Sequence, residues 1–129
     1  MAAQSSVQIK DILVSPVMVV DTITNLPVET EGEKLAVMCK INNLSSVETI
    51  QILVGTSENA GDISVIEGII SEDSGIYYLT QDGETTMLNG NVISVIVELN
   101  QIEVDSYNYI SVYAIDGENQ ESNHLVFTK

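Results

Sequence analysis

The chain has no tryptophan, no arginine, one cysteine, one histidine, one phenylalanine and two prolines in 129 residues. Three of these scarcities, of arginine, cysteine and histidine, narrow the function. Four lysines (Lys10, Lys34, Lys40, Lys129) stand against nineteen acids, for a formal charge of −15. A nucleic acid is not an expected partner, because phosphate backbones are bound by releasing counterions to lysine and arginine. An anionic membrane surface is disfavoured for the same reason. The lone Cys39 has no partner for an internal disulfide, and in "KLAVMCKIN" it alternates with Leu35, Val37 and Ile41 as a small buried hydrophobe. The single His124 cannot build a cluster of imidazole metal ligands. The most apolar stretch, 12–23, is broken by Pro16 and Asp21 and is too short to span a bilayer, so membrane insertion is not expected.

What remains is aliphatic. Hydrophobic residues make up 44% of the chain and the mean hydropathy is +0.19, which argues against disorder despite the charge. Valine, isoleucine and leucine dominate, and β-branched enrichment favours strands over helices. By length, residues 1–129 are expected to form one domain, with a short polar N-terminal arm at 1–6. The opening "MAAQSSVQIKDILV" has no basic region followed by an apolar one and is not itself a secretory signal, so either the protein is made intracellularly or a signal has been removed ahead of Met1.

Period-two alternation locates the strands. Segments 7–14 and 17–23 read as extended runs hinged at Ser15-Pro16, and proline places them at a sheet border. Segments 34–42, 47–55, 63–71, 76–80, 91–99, 107–115 and 124–128 follow, separated by turn signals. Asp82-Gly83 is the strongest hairpin signal, and Asn89-Gly90 repeats it. The one helical candidate is a short turn near "NQIEVDS". About nine strands with turns roughly every ten residues predict an all-β antiparallel sandwich. Val37, Cys39, Ile52, Val95, Val97 and Val112 are expected in its core.

The last third carries a resemblance. "VISVIVELNQIEVDSYN" leads into "YISVYAIDGENQESNHLVFTK": a strand, a short crossover, a tyrosine-containing strand ending in Val112-Tyr113-Ala114, an acid-amide turn and a final "LVFT". This resembles the closing strands of fibronectin type III and bacterial immunoglobulin-like domains, with Ile110, Val112 and Ala114 at the inward positions. Asn108 stands where the corner tyrosine of that pattern falls, flanked by Tyr107 and Tyr109. The resemblance implies an Ig-like β-sandwich. Such domains serve as accessory or decoration proteins on tailed bacteriophage virions, which implies a capsid-docking protein made in the host cytoplasm and located on the virion. The alternative is a secreted or surface-exposed adhesion or carbohydrate-binding module of a bacterium.

No catalytic pattern stands out. His124 beside Ser122 and Asn123 lacks a glycine-flanked nucleophile. Without arginine or further histidine, anchoring a substrate or stabilising an oxyanion has few candidates, so neither an enzyme nor a cofactor is expected. The acidic turns at Glu72 and Asp73, at Asp82 and Glu84, and at Asp116, Glu118 and Glu121 offer oxygen ligands for calcium, but none has EF-hand spacing, and solvated turns are the expectation. Tyr77-Tyr78 is a further aromatic pair. If Ile110, Val112 and Ala114 face the core, Tyr107, Tyr109 and Tyr113 share the opposite side, either as a candidate interaction face toward a sugar or another protein or as ordinary cross-strand packing on a solvated sheet.

Overall fold

A computed structural model of the chain describes residues 6–129 apart from 18, 21, 22, 26 and 29–32. The elements, in order, are β1 (Ile9–Pro16), β2 (Val19–Val20), β3 (Pro27–Val28), β4 (Glu33–Ile41), β5 (Val47–Gly55), β6 (Ser64–Asp73), β7 (Ile76–Gln81), β8 (Glu84–Met87), β9 (Val92–Leu99), helix α1 (Gln101–Ser106), β10 (Tyr109–Asp116) and β11 (Leu125–Thr128). The fold is all-β. Nine of these strands have four or more residues; eight correspond to expected segments, while β8 is additional and the expected segment 17–23 contributes only the two-residue β2 within the described residues.

The strands form two antiparallel sheets, ordered β1-β4-β9 and β11-β10-β5-β6-β7-β8, with β2 and β3 paired in a separate ribbon. Alternation decides which side of each strand is buried. On β4 the inward set is Leu35, Val37, Cys39 and Ile41, and on β9 it is Ile93, Val95, Val97 and Leu99. The larger sheet contributes Ile50, Ile52 and Val54 from β5 and Ile110, Val112 and Ala114 from β10 to the same cluster. The six residues expected in the core are each 3% exposed or less. This arrangement is compatible with a β-sandwich. Close approach of the layers is visible at Gly68, where an added Cβ would sit 2.7 Å from Leu79 on β7 and 3.8 Å from Val95 on β9.

The turns follow their residues. Ser74-Gly75 joins β6 to β7 and Asp82-Gly83 joins β7 to β8, each as a two-residue loop with both residues at positive φ. That geometry matches the strand twist, and glycine adopts it without steric cost. Asn89-Gly90 behaves differently from a within-sheet hairpin. Its turn closes on an isolated Asn89–Val92 bridge and carries the chain from β8 in one sheet to β9 in the other. Pro16 ends β1, which is an edge strand as proline requires. The helical turn near 101–106 is present. The Asn100 side chain accepts from the Glu103 amide at 2.9 Å, and the Glu103 carboxylate accepts from the Asn100 amide at 3.0 Å. Of the expected arm at 1–6, only Ser6 falls within the described residues, exposed and bonded to Asn43 at 3.4 Å. In the expected strand at 17–23, residues 18, 21 and 22 lie outside them, and β2 covers only Val19–Val20.

Candidate docking site

Because alternate residues of β5 and β10 point into the core, the intervening ones form the outer face of the six-stranded sheet. Leu53 lies opposite Val65, Gln51 opposite Glu67, and Thr49 opposite Ile69, while Ser111 and Tyr113 of β10 lie opposite Leu53 and Gln51. This face is apolar for so acidic a protein. Val65 is 58% exposed, Ile69 49% and Ile76 43%, with Leu53, Tyr78 and Ile115 half-buried around them.

A polar rib crosses the middle. Gln51 is buried although it faces outward. Its amide donates to the Glu67 carboxylate at 2.8 Å and to Thr49 Oγ1 at 3.4 Å, which fixes the carboxylate within the apolar surface. At one end the face is walled off. The Asn59 amide donates to Ser111 Oγ at 2.8 Å, folding the β5–β6 loop over Ser111. His124 then ties that loop to the last turn, with Nδ1 2.8 Å from Asn59 Oδ1 and Nε2 2.8 Å from Glu121 Oε1. Its ring stacks on Tyr113 at 4.4 Å with planes 5° apart. Burial, and then the charge of Glu121, raise the Tyr113 hydroxyl above its ordinary pKa. The β5–β6 loop is itself clamped: Asp62 accepts from the Thr56 amide at 3.0 Å and from its hydroxyl at 2.7 Å. The hydroxyl bond first and the amide bond second hold the Asp62 carboxyl below its ordinary range.

The three tyrosines expected to share a face do not all do so. Tyr109 and Tyr113 are half-buried on β10, with side chains on the outer side. Tyr107 precedes the strand as the C-cap of α1 and is 5% exposed. Strand alternation begins only at Tyr109, so it does not set the direction of Tyr107. The Tyr107 ring joins the core cluster, with Lys129 Nζ 4.4 Å from its centroid. Burial, then the charge of Glu33, raise its pKa. Val65 and Ile69 were not singled out by their sequence, although a signal was present. In "SVIEGIIS" apolar residues occupy both phases of the alternation, so one pair, Val65 and Ile69, must face away from the core.

The remaining candidates serve local structure. The Ser122 hydroxyl accepts from the Ala114 amide at 2.8 Å and donates to the Asn123 carbonyl at 2.9 Å, so it is committed to backbone beside His124. Glu72 accepts from the Gly75 amide at 2.7 Å, and Asp116 from the amides of Glu118 and Gln120 at 2.9 Å each. Among the described residues, no group of three or more histidine, cysteine or acidic side chains converges to hold a metal. Among the described residues, no helix is long and apolar enough to cross a membrane.

No family model, curated protein or solved structure matches this chain.

Proposed function

We propose that the chain is a non-enzymatic docking domain with Ig-like topology, which seats the open part of its six-stranded sheet on another protein. A virion shell is the setting. The observation that carries the reading is the exposure of Val65, Ile69 and Ile76 on one sheet face of a molecule with charge −15. These apolar side chains share one sheet face with Glu67 and Asp73 between them, a mixed surface of the kind that protein contacts use. The strand order supports the Ig-like assignment: β1-β4-β9 against β11-β10-β5-β6 follows the order of the Ig-like sandwich, with the β7–β8 hairpin added at one edge.

Association with purified virion shells tests this. Val65→Thr with Ile69→Thr, which keeps β-branched side chains and places no further charge beside Glu67, is expected to melt within about 2 °C of the wild type, and to weaken binding. Wild-type binding in that double variant would overturn the face. Binding to glycans instead of protein shells would favour the adhesion module.

A further inference from the structure

Among the described residues, the sandwich has an open seam between β8 and β9. β8 is the edge of the larger sheet and β9 the edge of the smaller. A groove of about 870 Å³ runs between them, with Ile66, Leu79 and Ile96 among its apolar lining and Asp82, Glu84 and Glu98 among its acids. Beyond β4, β9 pairs with no strand among the described residues. Yet the middle of this edge is hydrogen-bonded much as a neighbouring strand would bond it. The Ile96 amide donates to Gln81 Oε1 at 3.1 Å, and Gln81 Nε2 donates to the Ile96 carbonyl. One side-chain amide thus satisfies both backbone groups of one residue. Since the Ile96 groups point away from β4, strand periodicity places those of Ser94 and Glu98 along the same free edge.

We propose that the β9 edge accepts an extended segment of another protein as an added strand, alternating apolar and basic residues, with Gln81 holding its place until it arrives. Strand addition supplies main-chain hydrogen bonds, and alternate side chains supply selectivity. Inward side chains of the added strand meet Ile66 and Leu79. Outward ones pass an acidic rim. Glu98 is paired with Lys34 at 3.0 Å, whereas Asp82 and Glu84 form no ion pair among the described residues. That charge selects the occupant. A second copy of this chain brings fifteen net negative charges and only four lysines to an acidic rim, so it is repelled. The site lies on a sheet edge and is separate from the outer face that carries the proposed function.

The test uses the full chain, isotope-labelled, with an eight-residue peptide of alternating valine and lysine. One control replaces lysine with glutamate. A second is the lysine peptide N-methylated on every other backbone nitrogen, which blocks strand pairing while keeping the charge. The lysine peptide is expected to slow amide exchange at Ser94 and Glu98, and both controls to lose this. Gln81→Ala is expected to bind the peptide about tenfold more tightly, since the displacement of two hydrogen bonds from Ile96 is removed. Glu84→Lys, a substitution on an exposed strand position, is expected to weaken it at unchanged melting temperature. Equal binding by either control overturns the proposal. So does the absence of any β9 amide response at millimolar peptide, in which case Gln81 simply closes the edge. Responses confined to Val65 and Ile69 would also overturn it while leaving the outer-face reading intact.

Discussion

Asn123 binds both backbone groups of Ile9, 114 residues away: the Ile9 amide donates to Asn123 Oδ1 at 2.9 Å, and Asn123 Nδ2 donates to the Ile9 carbonyl at 2.8 Å. Gln81 treats Ile96 in the same manner on the opposite seam. Ile9 begins β1 and Asn123 lies just before β11, so each seam between the two sheets is stitched by one side-chain amide. An edge strand whose polar groups are satisfied this way is a poorer template for indiscriminate pairing.

Replacing Asn123 by alanine removes two part-buried hydrogen bonds and is expected to cost about 1–2 kcal/mol. Urea unfolding should show a lower midpoint at unchanged slope. A midpoint equal to the wild type would mean that water replaces the stitch without loss.

Cys39 is buried between the sheets, and burial pushes its thiol from an ordinary 9.0 up to about 11. In the folded chain it is a neutral, unreactive hydrophobe. At pH 8 a thiol reagent should label it only through opening of the fold. As pH rises from 9 to 11 the unfolded thiol ionises before the folded one, so the unfolded state binds fewer protons and stability falls. Cys39→Val is expected to remove that component of the alkaline loss, measured as the difference between two pH–stability curves. Cys39→Asp should prevent folding, because a carboxylate there has neither water nor a partner.

Gly55 ends β5 where the chain turns sharply. A Cβ there would overlap the Ala60 carbonyl oxygen and the Asp62 carboxylate. Gly55→Ala is expected to cost about 1–3 kcal/mol, as overpacking does, and to disturb the Asp62–Thr56 clamp. Gly117 has open space around it, so Gly117→Ala should melt with the wild type. Equal melting temperatures for the two variants would contradict the packing at Gly55.

Much of the fold was legible because two local rules carry it. Alternation in Leu35, Val37, Cys39 and Ile41 identified an inward face without reference to any other strand. Paired left-handed residues at Asp82-Gly83 identified a hairpin from turn chemistry alone. Both rules are blind to which strands become neighbours. Asn89-Gly90 has the same local preference as Asp82-Gly83, yet it leads across to the other sheet, and nothing in the two residues encodes that. Tyr107 departs from the face of Tyr109 and Tyr113 because alternation holds only within the strand and does not reach the helix cap. The amide stitches had no sequence signature at all, since a lone asparagine or glutamine acting across 114 or 15 residues leaves no period to read. The apolar outer face was legible in principle from Val65 and Ile69, in a strand that is apolar on both sides.

The charge predicts the kinetics of docking. Lys34 and Lys40 sit in exposed ion pairs with Glu98 and Asp11, and Lys129 is held against Tyr107, so the surplus acids set the long-range field. If the proposed virion shell presents a basic patch, association with it is expected to slow as salt rises from low to physiological strength, with dissociation nearly unchanged. A salt-independent association rate would leave the apolar face as the whole of the recognition.

The most direct measurement is site-specific photo-crosslinking to the shell, from position 69 and from position 13. Ile69 and Leu13 are similarly exposed, at 49% and 56%, but lie on different sheets, so accessibility does not separate them. The account predicts one defined protein adduct from position 69 and none from position 13. Adducts from position 13 alone, or equally from both, would contradict docking through the six-stranded sheet.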